Sequence, residues 1–129
     1  MRIAIGSDHG GFDYKAEIIK MLEDEGHDVI DCGTFSKDSC NYAEFALKTA
    51  SEVSLGNADR GILICNSGEG VSIAANKVKG VRCGIGYADE VATLLRNHNR
   101  LASIGKTDLQ LDGVFRHSQS LVKTVQGQA

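Results

Sequence analysis

The sequence predicts an α/β protein, a three-layer α/β/α sandwich around a five-stranded parallel sheet, Rossmann-like in its layering. Two observations predict it. Short apolar runs alternate with helical segments of about 10–15 residues, the pattern of right-handed βαβ units. The runs are also apolar almost throughout, as strands are when helices cover both faces of a sheet.

The elements follow in chain order. Residues 2–6 (RIAIG) form the first strand, and residues 12–25 the first helix, with an apolar stripe at Phe12, Ala16, Ile19, Met21 and Leu22. Gly26 stops that helix as a C-cap. Residues 28–33 (DVIDCG) form the second strand and 34–41 a polar loop. The next helix covers 42–55, with Tyr42, Phe45, Ala46, Thr49, Ala50 and Val53 at helical spacing, and Gly56 ends it. Residues 60–65 (RGILIC) are the most apolar strand, followed by a polar turn over 66–70 and a short helix over 71–78. A fourth strand lies within 80–87, and a helix over 88–98 carries Val91, Leu94 and Leu95 on one side. The fifth strand is 101–105 (LASIG), and 108–125 reads as a weakly patterned helix. Neither internal repeats nor a domain boundary is visible, so residues 1–129 read as one domain.

Composition excludes several classes of function. The 42% hydrophobic and 24% charged residues are ordinary for a soluble globular chain. Asp and Glu (17) outnumber Lys and Arg (14), which argues against non-specific nucleic-acid binding. No segment approaches the roughly 20 apolar residues of a membrane span. The first residues lack the apolar core of a signal peptide, which reads as cytoplasmic. Cys32, Cys40, Cys65 and Cys83 form no C-x-x-C pair, which weakens zinc and disulfide readings. Fifteen glycines with no proline point to tight turns or close backbone approach.

Ligands of such folds sit at the carboxyl ends of the strands. There the chain places Asp8 and His9 after the first strand and Cys65 at the end of the third, followed by Asn66, Ser67, Gly68, Glu69 and Gly70. His98 and Asn99 follow the fourth helix. A cysteine before a helix N-terminus meets unpaired N–H groups that favour a thiolate and can hold an oxyanion. By residue type alone, a packed strand cysteine is the commoner case. Asp8 reads equally as a proton-transfer group and as a helix cap. The turn lacks the ending of a Walker loop, and the glycines after the first strand have the wrong spacing for a dinucleotide fingerprint.

These residues also carry a resemblance. Residues 6–12 (GSDHGGF), 31–34 (DCGT), Asn41-Tyr42, 59–65 (DRGILIC), Ser67-Gly68, Gly70, 72–77 (SIAANK), 80–82 (GVR), Arg96 and His98-Asn99 resemble, in order, type B ribose-5-phosphate isomerases and the related galactose- and allose-6-phosphate isomerases. The resemblance covers residues 1 to about 105. It implies an aldose–ketose isomerisation of a sugar phosphate without cofactor or metal, most simply ribose 5-phosphate to ribulose 5-phosphate. It implies a homodimer, or a dimer of dimers, with shared active sites, and a strand order 2-1-3-5-4.

By position, Cys65 resembles the base at substrate C2, and the turn 66–70 with Ser67 the hole for the enediolate oxygen. Asp8 and His98 resemble the ring-opening pair, with His98 supplied by the other subunit. His9, Tyr42 and Asn99 resemble substrate contacts, and Arg116 part of the phosphate clamp. The sequence departs from the family pattern at several places. Asn66 stands where relatives usually carry Gly. Glu69 lies two residues before the position, here Val71, at which some relatives place a glutamate base. Ser120 stands where a second phosphate arginine is expected, and Lys106-Thr107 where another arginine is. Those departures keep two further readings open: an isomerase of a six-carbon or unphosphorylated sugar, and a catalytically silent sugar-phosphate binder.

Overall fold

The fold was obtained as a computed structural model, which describes residues 1–87, 91, 94, 101–105, 113, 116, 118 and 119. Five parallel strands form one sheet: β1 (Arg2–Ser7), β2 (Asp28–Asp31), β3 (Arg60–Cys65), β4 (Cys83–Ile85) and β5 (Leu101–Gly105). Their order is β2-β1-β3-β5-β4. Three α-helices are described, α1 (Phe12–Asp24), α2 (Tyr42–Ser54) and α3 (Glu69–Ala75), with one 3-10 turn at His9–Gly11 leading into α1. The fold class and strand order match the sequence reading. Among the described residues no helix is long and apolar enough to cross a membrane.

Strand alternation divides the core into two layers. Ile3, Ile5, Ile62, Ile64, Ala102 and Ile104 point to one face and pack on Ile18 and Leu22 of α1. Ala4, Leu63, Cys65 and Leu101 point to the other and pack on Ala46, Ala50 and Val53 of α2 and Val71 and Ala75 of α3. Both layers are buried, so each large aliphatic side chain contributes about 1.5–3 kcal/mol. This is why β1, β3 and β5 read as unbroken apolar runs.

Helix α1 differs from its predicted stripe. Its buried line is Lys15, Ile18 and Leu22, and Ala16 is exposed. Lys15 occupies the apolar face because its ammonium pairs with Asp31 at the end of β2 and lies 5.6 and 5.3 Å from the ring centroids of Phe12 and Phe35. A buried cation is tolerated when it is paired in this way. Asp31 Oδ1 also accepts the Gly33 N–H at 2.9 Å. Ser7 and the β2 extension then exchange Ser7 N–H to Gly33 O at 2.7 Å and Thr34 N–H to Ser7 O at 2.8 Å.

Other boundaries shift for local reasons. Helix α3 starts at Glu69, not at residue 71, because Gly68 serves as its left-handed N-cap, at φ +82°. Strand β4 shortens to three residues. The Asn76 carboxamide flanks it, accepting the Cys83 N–H at 2.9 Å and donating to Cys83 O at 2.9 Å. Gly26 and Gly56 end their helices in the left-handed region, as expected. Leu94 is exposed although it was read on the apolar side with Val91, which is half-buried; Leu95 lies outside the described residues. The predicted helices over 88–98 and 108–125 fall mostly outside the described residues.

Candidate active site

Parallel pairing sets Ser7 opposite Ile64, so Asp8 and Cys65 follow at adjacent positions where β1 and β3 end. Neighbouring strands run about 4.8 Å apart. The loops behind them are pressed together. A Cβ on Gly11 would stand 2.5 Å from the Ile64 carbonyl oxygen, and a Cβ on Gly68 2.9 Å from the Gly105 nitrogen. Glycine at these two positions lets the β1, β3 and β5 ends close on one another.

Cys65 is 6% exposed, and its Sγ accepts the Gly68 N–H at 2.9 Å. Cys32 and Cys83 are buried too, but burial raises the Cys32 thiol and pushes the Cys83 thiol up to about 11, so both stay protonated near neutral pH. Both belong to the layer under α2 and α3. Cys65 shares that layer and is the last residue of β3, directly before the turn that leads into α3, whereas Cys32 lies just past β2 and Cys83 opens β4.

Asp8 performs the capping role that was one of its two readings. Its Oδ1 accepts the Gly11 N–H at 3.0 Å, at 9% exposure. Among the described residues its second oxygen has no partner, so capping and proton transfer are compatible. His9 is exposed, and its Nδ1 accepts the Cys40 N–H at 3.3 Å. In the neutral ring Nε2 then carries the proton and is the nitrogen left to meet a ligand. The Cys40 Sγ lies 3.8 Å from the same Nδ1.

The turn after β3 is shorter than read. Only Asn66, Ser67 and Gly68 belong to it; Glu69 and Gly70 form the first turn of α3. Glu69 is exposed. Its N–H is engaged by Ser67 Oγ at 3.2 Å, as the Gly68 N–H is by Cys65. The pair of donors expected to face an oxyanion therefore already has protein partners. Ser67 Oγ acts there as acceptor and keeps its own hydroxyl proton free to donate. Tyr42, the first residue of α2, is 44% exposed, and its ring lies against Gly70: a Cβ there would stand 3.0 Å from its Cε2 and Cζ. Asn41 caps α2 by accepting the Ala43 N–H at 3.0 Å.

Asp8, His9, Tyr42, Cys65, Asn66, Ser67, Gly68, Glu69 and Gly70 are thus gathered at one edge of the sheet, as the sequence implied. Arg116 is helical and exposed. Three residues later, Gln119 bonds Glu25 at the far end of α1, at 2.9 Å. His98, Asn99 and Ser120 fall outside the described residues. The sequence reading missed Lys15 and Cys40. A lysine three and seven residues before Ile18 and Leu22 was a signal for the first; for the second there was none, because its contact joins two loops distant in sequence.

Comparison with known proteins adds independent findings. Residues 3–105 match a family described as Ribose/Galactose Isomerase. Ribose-5-phosphate isomerase B of Mycolicibacterium paratuberculosis is 44% identical over 106 residues, 81% of this chain and 67% of that protein. The chain spans about two thirds of the length of the curated relatives it matches. Among solved structures, Clostridium thermocellum ribose-5-phosphate isomerase B superposes with a TM-score of 0.92 at 40% identity, over 96% of this chain and 85% of the other. Mycoplasma genitalium ribose-5-phosphate isomerase B, solved with bound ribulose 5-phosphate, has a TM-score of 0.89 at 31% identity, over 95% and 83%.

Proposed function

The chain belongs to the ribose/galactose isomerase family, and from that premise we propose that it is an aldose–ketose isomerase converting ribose 5-phosphate to ribulose 5-phosphate, in the cytoplasmic pentose phosphate pathway. The observation that carries this reading is the pairing of β1 and β3, which sets a carboxylate and a hydrogen-bonded sulfur at neighbouring strand ends. A hydrogen beside a carbonyl leaves only if a base and a stabiliser of the developing oxyanion are already in place.

In the proposed reaction Asp8, with the His98 of a second subunit, opens the furanose ring. The deprotonated sulfur of Cys65 removes the C2 proton. The C–H electron pair forms the C1–C2 double bond, and the carbonyl pair moves to O1. A proton passes from O2 to O1, Cys65 returns its proton to C1, and C2 becomes the carbonyl. The Ser67 hydroxyl and the backbone of Gly70 meet the developing charge, since the Gly68 and Glu69 N–H groups are engaged elsewhere. His9 Nε2 and Tyr42 bind the sugar phosphate, with Asn99. Arg116 serves the site of a partner subunit in a homodimer or dimer of dimers. No step requires a metal or a cofactor.

The test is an assay of purified protein on five- and six-carbon aldoses with and without phosphate, in EDTA. Turnover of ribose 5-phosphate that Cys65→Ala abolishes and Glu69→Gln leaves largely intact supports the reading. Preferential turnover of another sugar replaces the substrate. Binding of ribose 5-phosphate without turnover means a silent binder, and loss with Glu69→Gln alone moves the base to Glu69.

A further inference from the structure

Asn66 stands between the two groups that the proposed reaction uses. It follows Cys65 directly, and its side chain crosses to the loop that carries Asp8. The carboxamide is seated on Gly10: a Cβ there would stand 2.8 Å from Asn66 Oδ1, 3.1 Å from Nδ2 and 3.2 Å from Cγ. Residue 10 can be only glycine while the carboxamide holds this seat. Although thus placed, the carboxamide has no hydrogen-bond partner among the described residues, and Asn66 is exposed at the mouth of the site. Its neighbours each have at least one protein partner: Asp8 Oδ1 with Gly11, His9 Nδ1 with Cys40, Ser67 Oγ with Glu69 and Cys65 Sγ with Gly68.

A carboxamide offers two donors and one acceptor side by side. A phosphate or an enediolate oxygen needs donors only. A neutral hydroxyl, which both gives and takes a hydrogen bond, is the partner that matches both ends. With C2 of the sugar at Cys65 and its ring-opening end at Asp8, the hydroxyl within reach of residue 66 is the one beside the reacting carbon pair. We infer that Asn66 is a specificity-determining residue whose carboxamide, lying in the space that Gly10 leaves open, reads the C3 hydroxyl of the open-chain sugar. This inference rests on the isomerase reading above and adds to it the group by which the site selects its substrate.

The experiment compares kcat/KM for ribose 5-phosphate and its 3-deoxy analogue in five proteins: wild type, Asn66→Gly, Asn66→Gln, Gly10→Ala and the double variant of Asn66→Gly with Gly10→Ala. A site built to hydrogen-bond a hydroxyl rejects the analogue that lacks it, by about tenfold or more. Wild type is expected to prefer ribose 5-phosphate by at least tenfold, and Asn66→Gly to lose most of that preference by slowing ribose 5-phosphate alone. Gly10→Ala, whose methyl displaces the carboxamide end, is expected to give the same loss. The double variant should lose no more than either single one, because both act on one contact. Asn66→Gln, which keeps the carboxamide, should retain more of the preference than Asn66→Gly. If rates fall on both sugars together and their ratio stays within twofold of wild type, Asn66 only packs the loops and the inference is overturned. If wild type isomerises neither sugar, the isomerase reading fails first and takes this inference with it.

Discussion

Gly68→Ala joins the fold to the chemistry through one hydrogen atom. Gly68 sits at φ +82°, where a side chain costs about 1–2 kcal/mol. Its Cβ would also stand 2.9 Å from the Gly105 nitrogen and 3.1 Å from the Ile104 carbonyl carbon. Both are backbone atoms of a buried central strand, which yields little, and overpacking of this kind costs about 1–3 kcal/mol. The sum is a destabilisation of about 2–5 kcal/mol. Gly56 supplies the control. It has nearly the same angle, φ +80°, at the end of α2, with nothing within 4 Å of a Cβ. Gly56→Ala should therefore cost only the conformational part, about 1–2 kcal/mol. Urea unfolding followed by far-ultraviolet circular dichroism measures both. The same push moves the Gly68 N–H off Cys65 Sγ, so isomerase kcat should fall at least tenfold in Gly68→Ala and stay near wild type in Gly56→Ala. Equal stability losses in the two variants, within about 0.5 kcal/mol, would refute the close approach of the β3 turn to β5.

Two further outcomes follow from the site and the core. Asp8→Asn keeps the cap, since asparagine accepts the Gly11 N–H as well as aspartate does; stability should change by less than about 0.5 kcal/mol while kcat falls by about a hundredfold or more. The Cys83 thiol gives a pH effect with a definite sign. Its folded value is raised from 9.0 to about 11, so the unfolded chain loses that proton first. The stability it contributes is complete below pH 9 and drains away as the pH rises toward 11, by about 2–3 kcal/mol in all. Unfolding curves at pH 8 and pH 10.5 should show this loss in wild type and a smaller one in Cys83→Ala.

The strands β3 and β5 were legible to the residue because their apolar runs are bounded by Arg60, the polar turn at Asn66 and the glycine at position 105. The helix ends at Gly26 and Gly56 were legible for the same local reason. Helix α1 was misread at Lys15, because what buries that residue is Asp31, sixteen positions away, and periodicity carries no information about such a partner. The start of α3 was misread by two residues because the left-handed Gly68 and the Ser67 hydroxyl cap the helix earlier than its first apolar residue announces. Within the site, residue types and strand ends pointed to Asp8, to Cys65 and to the turn that follows Cys65. The seat of Asn66 on Gly10 and the bond from Cys40 to His9 join loops far apart in sequence, and only the closed sheet brings them together.

The central claim is that the sulfur of Cys65 moves the C2 proton of a sugar phosphate. The most direct measurement is the exchange of that hydrogen in deuterated water, followed by proton NMR on ribose 5-phosphate with wild type and Cys65→Ser. The account predicts deuterium entering C2 of ribose 5-phosphate and C1 of ribulose 5-phosphate with wild type. It predicts exchange at least a thousandfold slower with the folded serine variant. Exchange by Cys65→Ser at the wild-type rate would contradict it.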